Sequence, residues 1–183
     1  MVISTSMATV RRPRGFTLIE VTIVVVVVGV LALLAVEGYR RWIQTSYIAE
    51  AQDMVANIRT AEESFRSENG VYLDVSGTLG PGYEYPAATP GPFKTQWATG
   101  SRWDALTVRP AGPVYFGYSV IANNGGGSPS VPTPGFGIDF SGLTGPWYVI
   151  RADGDLDRDS DANFTEVFGC SGTNQIWVVN EGK

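Results

Sequence analysis

One long amino-terminal helix packed on a carboxy-terminal antiparallel sheet of about four strands is the α+β arrangement that this 183-residue sequence predicts. An apolar run over residues 16–36 passes, without a proline, into a stripe of apolar residues at helical spacing. After Asn69-Gly70 the chain turns rich in glycine and proline, and its last third holds short alternating segments separated by turn residues, the pattern of antiparallel strands.

Three arginines, Arg11, Arg12 and Arg14, precede Gly15 and the apolar run. Within residues 16–36 the polar side chains are Thr17, Glu20 and Thr22. About 20 such residues, rising 1.5 Å each, span a bilayer core of roughly 30 Å. The β-branched run Val24–Val28 is a weak helix former in water, but a lone segment in lipid satisfies its backbone only as a helix. The two threonines cost little, because a helical threonine bonds back to a carbonyl of the preceding turn. The arginines place residues 1–14 on the cytoplasmic side and send the chain beyond Val36 outward. Glu20 stands out, since a carboxylate in a membrane segment costs about 2.5–3.5 kcal/mol. The chain near it offers no partner after the arginines, so a partner on another copy is expected.

Arg14-Gly15-Phe16-Thr17-Leu18-Ile19-Glu20-Val21, with the aliphatic stretch that follows, resembles the class III signal of type IV pilins and pseudopilins. An ordinary secretory signal has a shorter apolar core with a small-residue cleavage site after it, whereas here Gly15 stands before the run. The resemblance implies a pilin fold. It also implies that residues 1–15 are a leader removed by a prepilin peptidase, which cuts between Gly15 and Phe16. The new amino group on Phe16 would be N-methylated. Glu20 would become the fifth residue of the mature chain, where pilins carry the glutamate that directs assembly. Many pilins have a proline where Glu37 stands here; the adjacent Gly38 is the point at which this helix would loosen.

Beyond the anchor, residues 37–183 are expected to form the globular pilin domain. Its helix, over 37–68, carries the stripe Tyr39, Trp42, Ile43, Tyr47, Met54, Val55, Ile58, Ala61 and Phe65. Arg40, Glu50, Asp53, Arg59, Glu62, Glu63 and Arg66 fill the other faces, and Asn69-Gly70 is a carboxy-terminal stop. The whole helix, from about 16 to about 68, would be roughly 80 Å long. Residues 70–113 read as an irregular connection holding Trp97 and Trp103, with room for a short helix or strand. Strands are expected over 114–122, 135–140, 146–152 and 175–180, with Asn123-Asn124-Gly125 as a turn and 125–134 as a surface loop.

The second chemical signal is Asp153-Gly-Asp155-Leu-Asp157-Arg-Asp159-Ser-Asp161-Ala-Asn163-Phe-Thr-Glu166. Aspartates at alternate positions repel one another unless a cation sits among them. Numbered from Asp155, oxygen ligands fall on Asp155, Asp157, Asp159, Asp161 and Asn163, and Glu166 takes position 12, the spacing of an EF-hand calcium loop. Ser160 replaces the glycine usual at position 6, and strand signals stand where the flanking helices would be. A frame that recruits Asp153 with Asp155 and Asp157 is the alternative, and a solvated acidic loop is the reading without metal. Several type II secretion pseudopilins, which the chain also resembles, order a carboxy-terminal loop with Ca2+.

About 145 residues beyond the anchor suffice for one domain with its own core. The formal charge is −5, with no histidine, and the leader arginines contribute three of the 13 basic side chains. A net acidic chain without a basic cluster is no general nucleic-acid binder. Cys170 is the only cysteine, so no internal disulfide can order the carboxy-terminal region, and a buried thiol is expected. Without histidine, and with acidic residues grouped as ligands, the chain does not read as an enzyme. The resemblance implies a structural subunit of a type IV pilus or related filament, the class of adhesion and motility fibres. A type II secretion pseudopilin or a minor, priming pilin is the alternative within that class, and a non-polymerising, membrane-anchored calcium module is the alternative outside it. The implied partners are other subunits, the peptidase, an inner-membrane assembly platform and, before assembly, lipid. The implied locations are the inner membrane and then an extracellular pilus or periplasmic pseudopilus.

Overall fold

The computed structural model describes residues 15–127, 144–159 and 163–182. They form one helix, α1 (Leu18–Asn69), and four strands, β1 (Gly117–Asn123), β2 (Trp147–Gly154), β3 (Thr165–Cys170) and β4 (Thr173–Val179). The sheet order is β1-β2-β3-β4, antiparallel throughout. The chain divides into two compact units, Met1–Arg40 and Arg41–Lys183.

In the first unit the helix runs unbroken through Glu37 and Gly38. Its valines, leucines and isoleucines are all exposed, and by length and composition α1 is apolar enough to cross a membrane.

In the second unit α1 packs on the sheet. Ile48, Ala51, Met54, Val55, Ile58 and Glu62 are its buried positions, and Tyr47, Ala61 and Phe65 are half-buried against the same core. Tyr39 and Trp42, expected on the stripe, are instead 62% and 68% exposed. Glu62, expected on the polar face, is wholly buried. Its Oε2 accepts the Leu73 N–H at 3.0 Å, which offsets part of the desolvation cost and ties the chain after α1 back onto it. Asn69-Gly70 ends the helix as expected, with Gly70 at φ +77° and its N–H donating to the Arg66 carbonyl at 2.8 Å.

The sheet has the expected number of strands but not the expected set. Residues 114–122, 146–152 and 175–180 correspond to β1, β2 and β4; residues 135–140 lie outside the described residues. β3 was hidden in the tail of the acidic motif, where Glu166 read as a ligand. β2 is buried along its whole length. Tyr148, Ile150 and Ala152 join the core beneath α1, whereas Trp147 and Val149 join a second cluster with Leu79, Phe168, Cys170 and Val179. At Gly169 β3 passes close against the helix: a Cβ there would lie 2.7 Å from Val55 Cγ1.

The connection after α1 covers the outer edge of β1. Tyr85 and Tyr118 exchange backbone hydrogen bonds of 2.9 and 2.8 Å, and the Ser76 N–H donates to the Val120 carbonyl. Trp97 and Trp103 are buried there against the half-buried Tyr85, and a short 3-10 turn spans Arg102–Leu106.

Candidate functional site

The amino-terminal motif is built around Thr17. α1 begins at Leu18, so Thr17 is its cap and Glu20 stands in the third helical position. Glu20 Oε2 accepts from the Thr17 N–H at 2.8 Å and from the Thr17 hydroxyl at 2.7 Å. The Glu20 N–H donates back to Thr17 Oγ1 at 3.3 Å. This reciprocal arrangement is a capping box. Glu20 therefore does have a local partner, contrary to the expectation from sequence. The T-x-x-E spacing was the available signal, obscured because both residues were read as polar intrusions in a membrane segment. Thr17 supplies hydrogen bonds but no positive charge. Thr22 behaves as expected, its hydroxyl donating to the Ile19 carbonyl at 2.9 Å. Gly15 and Phe16 lie just ahead of the helix and are exposed.

The acidic motif divides into two sites. Strand alternation sends Asp153 to the face of β2 that carries Trp147 and Val149, with Arg151 beside it, and β3 pairs Glu166 opposite Asp153. Arg151 Nε donates to Asp153 Oδ1 at 2.9 Å, and its Nη2 lies 3.3 Å from Glu166 Oε1. Glu84, from the connection after α1, completes this buried group. Gly117, paired with Asp153, leaves room for it: a Cβ at 117 would lie 2.9 Å from Glu84 Cβ. Burial, and then the neighbouring Asp153 carboxylate, push the Glu84 carboxyl far above the usual range. Glu84 is therefore protonated at neutral pH and can donate to Asp153, whose Oδ2 has no other donor among the described residues. Burial raises Glu166 to about 7, against the pull of Arg151. Sequence reasoning missed Glu84 and Arg151; the same-face spacing of Arg151 and Asp153 was the only signal.

Asp155, Asp157 and Asp159 form the other site. One carboxylate oxygen from each lies within 4.8 Å of the other two, Asp155 being buried and the others exposed. Asp155 Oδ1 accepts the Arg158 N–H at 2.7 Å. Its Oδ2 is buried with no hydrogen-bond partner among the described residues, an orphan that a cation would satisfy. Three carboxylates converging in this way offer the hard oxygen donors that calcium takes. Asn163 Oδ1 accepts from Asn180 Nδ2 at 3.3 Å, and Asp161 lies outside the described residues. Glu166 and Asp153, the outlying members of the two frames, are engaged with Arg151. Cys170 is buried and free.

Among known families, the one described as the prokaryotic N-terminal methylation motif matches residues 10–36. The type IV major pilin protein PilA of Myxococcus xanthus is 39% identical over 69 residues, 38% of this chain and 31% of that protein. The fimbrial protein EcpC of Eikenella corrodens is 34% identical over 32% of this chain and 39% of its own length. The type IV major fimbrial protein FimA of Dichelobacter nodosus is 39% identical over 28% and 33%. The matches thus span between about a third and two fifths of these relatives. No solved structure matches.

Proposed function

We propose, from the type IV pilin family to which this chain's amino-terminal motif and helix belong, that the protein is a structural subunit of a type IV filament. In this reading the precursor sits in the inner membrane through residues 16–36. A peptidase removes residues 1–15, the amine of Phe16 is methylated, and subunits polymerise through the first part of α1. The observation that carries the reading is Glu20, a carboxylate on the exposed, largely apolar first part of α1. Both Thr17 donors fall on Oε2. That arrangement leaves Oε1 to the amine of Phe16 on a neighbouring subunit, which supplies the positive charge that Thr17 lacks. An ion pair made in an apolar filament core gains most as a register device, since a misplaced subunit leaves a charge unpaired.

The three convergent aspartates support a second element, a divalent cation, Ca2+ by ligand chemistry, held by Asp155, Asp157 and Asp159 in place of the disulfide that a lone cysteine cannot make. The cation loop favours a type II secretion pseudopilin or a minor pilin as the second reading.

Mechanical shearing of cells tests the assembly. Mature chain dominating the sheared fibres identifies a major subunit, trace amounts identify a minor one, and retention with the cells identifies a pseudopilin. Glu20→Ala should be processed normally and fail to enter fibres; normal fibre yield from that variant refutes the role given to Glu20.

A further inference from the structure

Arg158 lies within the acidic loop in sequence, but its two ends serve different parts of the fold. Its backbone, at φ +62°, donates its N–H to Asp155 Oδ1. Its guanidinium Nη2 donates to the Tyr115 hydroxyl at 3.2 Å. The Tyr115 ring lies against Tyr47 of α1, ring centroids 4.0 Å apart. Tyr115 is held from two further sides: its N–H donates to Glu50 Oε1 at 3.0 Å, and Lys94 Nζ sits 5.1 Å from its ring centre and 2.6 Å from Glu50 Oε2. The loop is thus fastened, through one arginine, to a platform built by α1 and the strand-side tyrosine.

The platform matters because an arginine beside three aspartates is their nearest competitor for a metal. An undocked guanidinium would settle among the carboxylates and neutralise them. Docked on Tyr115, the guanidinium is engaged by a hydroxyl, and the convergent oxygens of Asp155, Asp157 and Asp159 are what an outside cation would meet. The Arg158 N–H meanwhile occupies only Oδ1 of Asp155, and Oδ2 is the buried orphan.

Resting on the cation reading above, we infer that docking of Arg158 on the Tyr47–Tyr115 pair prepares the Asp155–Asp159 loop for a divalent cation, and that a bound cation in turn tightens the dock onto α1. Linkage makes the two effects equal in free energy, so weakening the dock must weaken the metal.

The test is calorimetric titration of CaCl2 into the EDTA-stripped, full-length mature chain in detergent, with the tyrosine ultraviolet difference spectrum recorded in parallel. The wild-type chain should bind calcium with a tyrosine signal. Tyr115→Phe, which deletes the acceptor without altering charge, should raise Kd roughly three- to tenfold and diminish that signal. Arg158→Lys, at an exposed position, should do the same, and it decides the matter if Tyr115→Phe folds poorly. A wild-type Kd in both variants overturns the linkage while leaving the metal site standing. No binding by the wild-type chain overturns the cation reading and the linkage with it.

Discussion

Two carboxylates on the same helix take their hydrogen bonds in opposite ways. Glu20 stands on a segment whose apolar side chains are exposed and takes its hydrogen bonds from Thr17, three residues away. Glu62 is wholly buried and takes the N–H of Leu73, beyond the end of the helix. The side chains of the first part of α1 are exposed among the described residues, and in the filament reading proposed above lipid or other subunits would cover them. The second part finds its partner in the sheet. Substitutions in the first region should therefore change assembly without changing the stability of the second, and substitutions in the second should do the reverse.

Charge gives the largest contrast. Arg151→Met would leave Asp153 and Glu166 buried without their cation, and breaking a buried pair from one side costs about 3–5 kcal/mol. The chain should melt on the order of 10 °C lower, since 1 kcal/mol moves Tm by about 2–4 °C at this size. Glu20→Ala, measured beside it, should leave that melting transition in place. A melt as depressed by Glu20→Ala as by Arg151→Met would abolish the distinction between the regions.

Apolar side chains sharpen the contrast. Ile58 is fully buried between α1 and the sheet, and Ile58→Ala should cost about 2–5 kcal/mol, seen as a lower urea midpoint for the carboxy-terminal unit. Leu31, on the same helix, is exposed. Leu31→Ala should not move that midpoint and should instead lower the yield of sheared fibres. Equal shifts in the two midpoints would mean that the first part of α1 is buried by the chain itself.

Legibility in the sequence follows the same division. The apolar helix and the motif over residues 10–36 could be read because lipid imposes composition over about 20 residues and because basic residues, a glycine and a carboxylate hold fixed spacings there. The end of α1 could be read from Asn69-Gly70, which needs only local geometry. β3 could not, because Thr165-Glu-Val-Phe-Gly-Cys places a carboxyl at a strand position where Arg151, distant in sequence, pairs with it. Glu62 was misread for the same reason: its acceptor role depends on Leu73 folding back. Alternate aspartates were legible as a ligand spacing, but spacing could not tell which of them a strand would claim. β2 takes Asp153 and β3 takes Glu166, and the loop between retains Asp155, Asp157 and Asp159. Thr17 shows that even local chemistry escapes when a stronger reading, membrane, occupies the same residues.

The smallest predicted effect returns to Glu62 and depends on pH. Burial raises its carboxyl from 4.5 to about 7, with Glu63 and Asp74 adding repulsion and the Leu73 N–H opposing the rise. An acid whose folded pKa is raised binds its proton more tightly in the folded chain. Its contribution to stability is complete below about 4.5, falls as pH climbs through about 7, and stays lost above that. Glu166, raised to about 7 by burial, loses stability over the same window, and Glu84, raised further, loses it over a wider one, so the wild-type slope is shared among the three. Glu62→Gln keeps an acceptor for Leu73 and removes the charge. It should stabilise the chain at pH 8 by about 1–3 kcal/mol, have little effect at pH 4, and flatten its share of the slope between. Urea midpoints at the two pH values read this directly. A uniform loss of stability at both would mean that the Glu62 side chain is needed for its shape rather than tolerated for its proton. The buried carboxylate would then resemble Glu20, a group kept for a bond it makes, and the comparison between the two ends of α1 would narrow to where each bond is found.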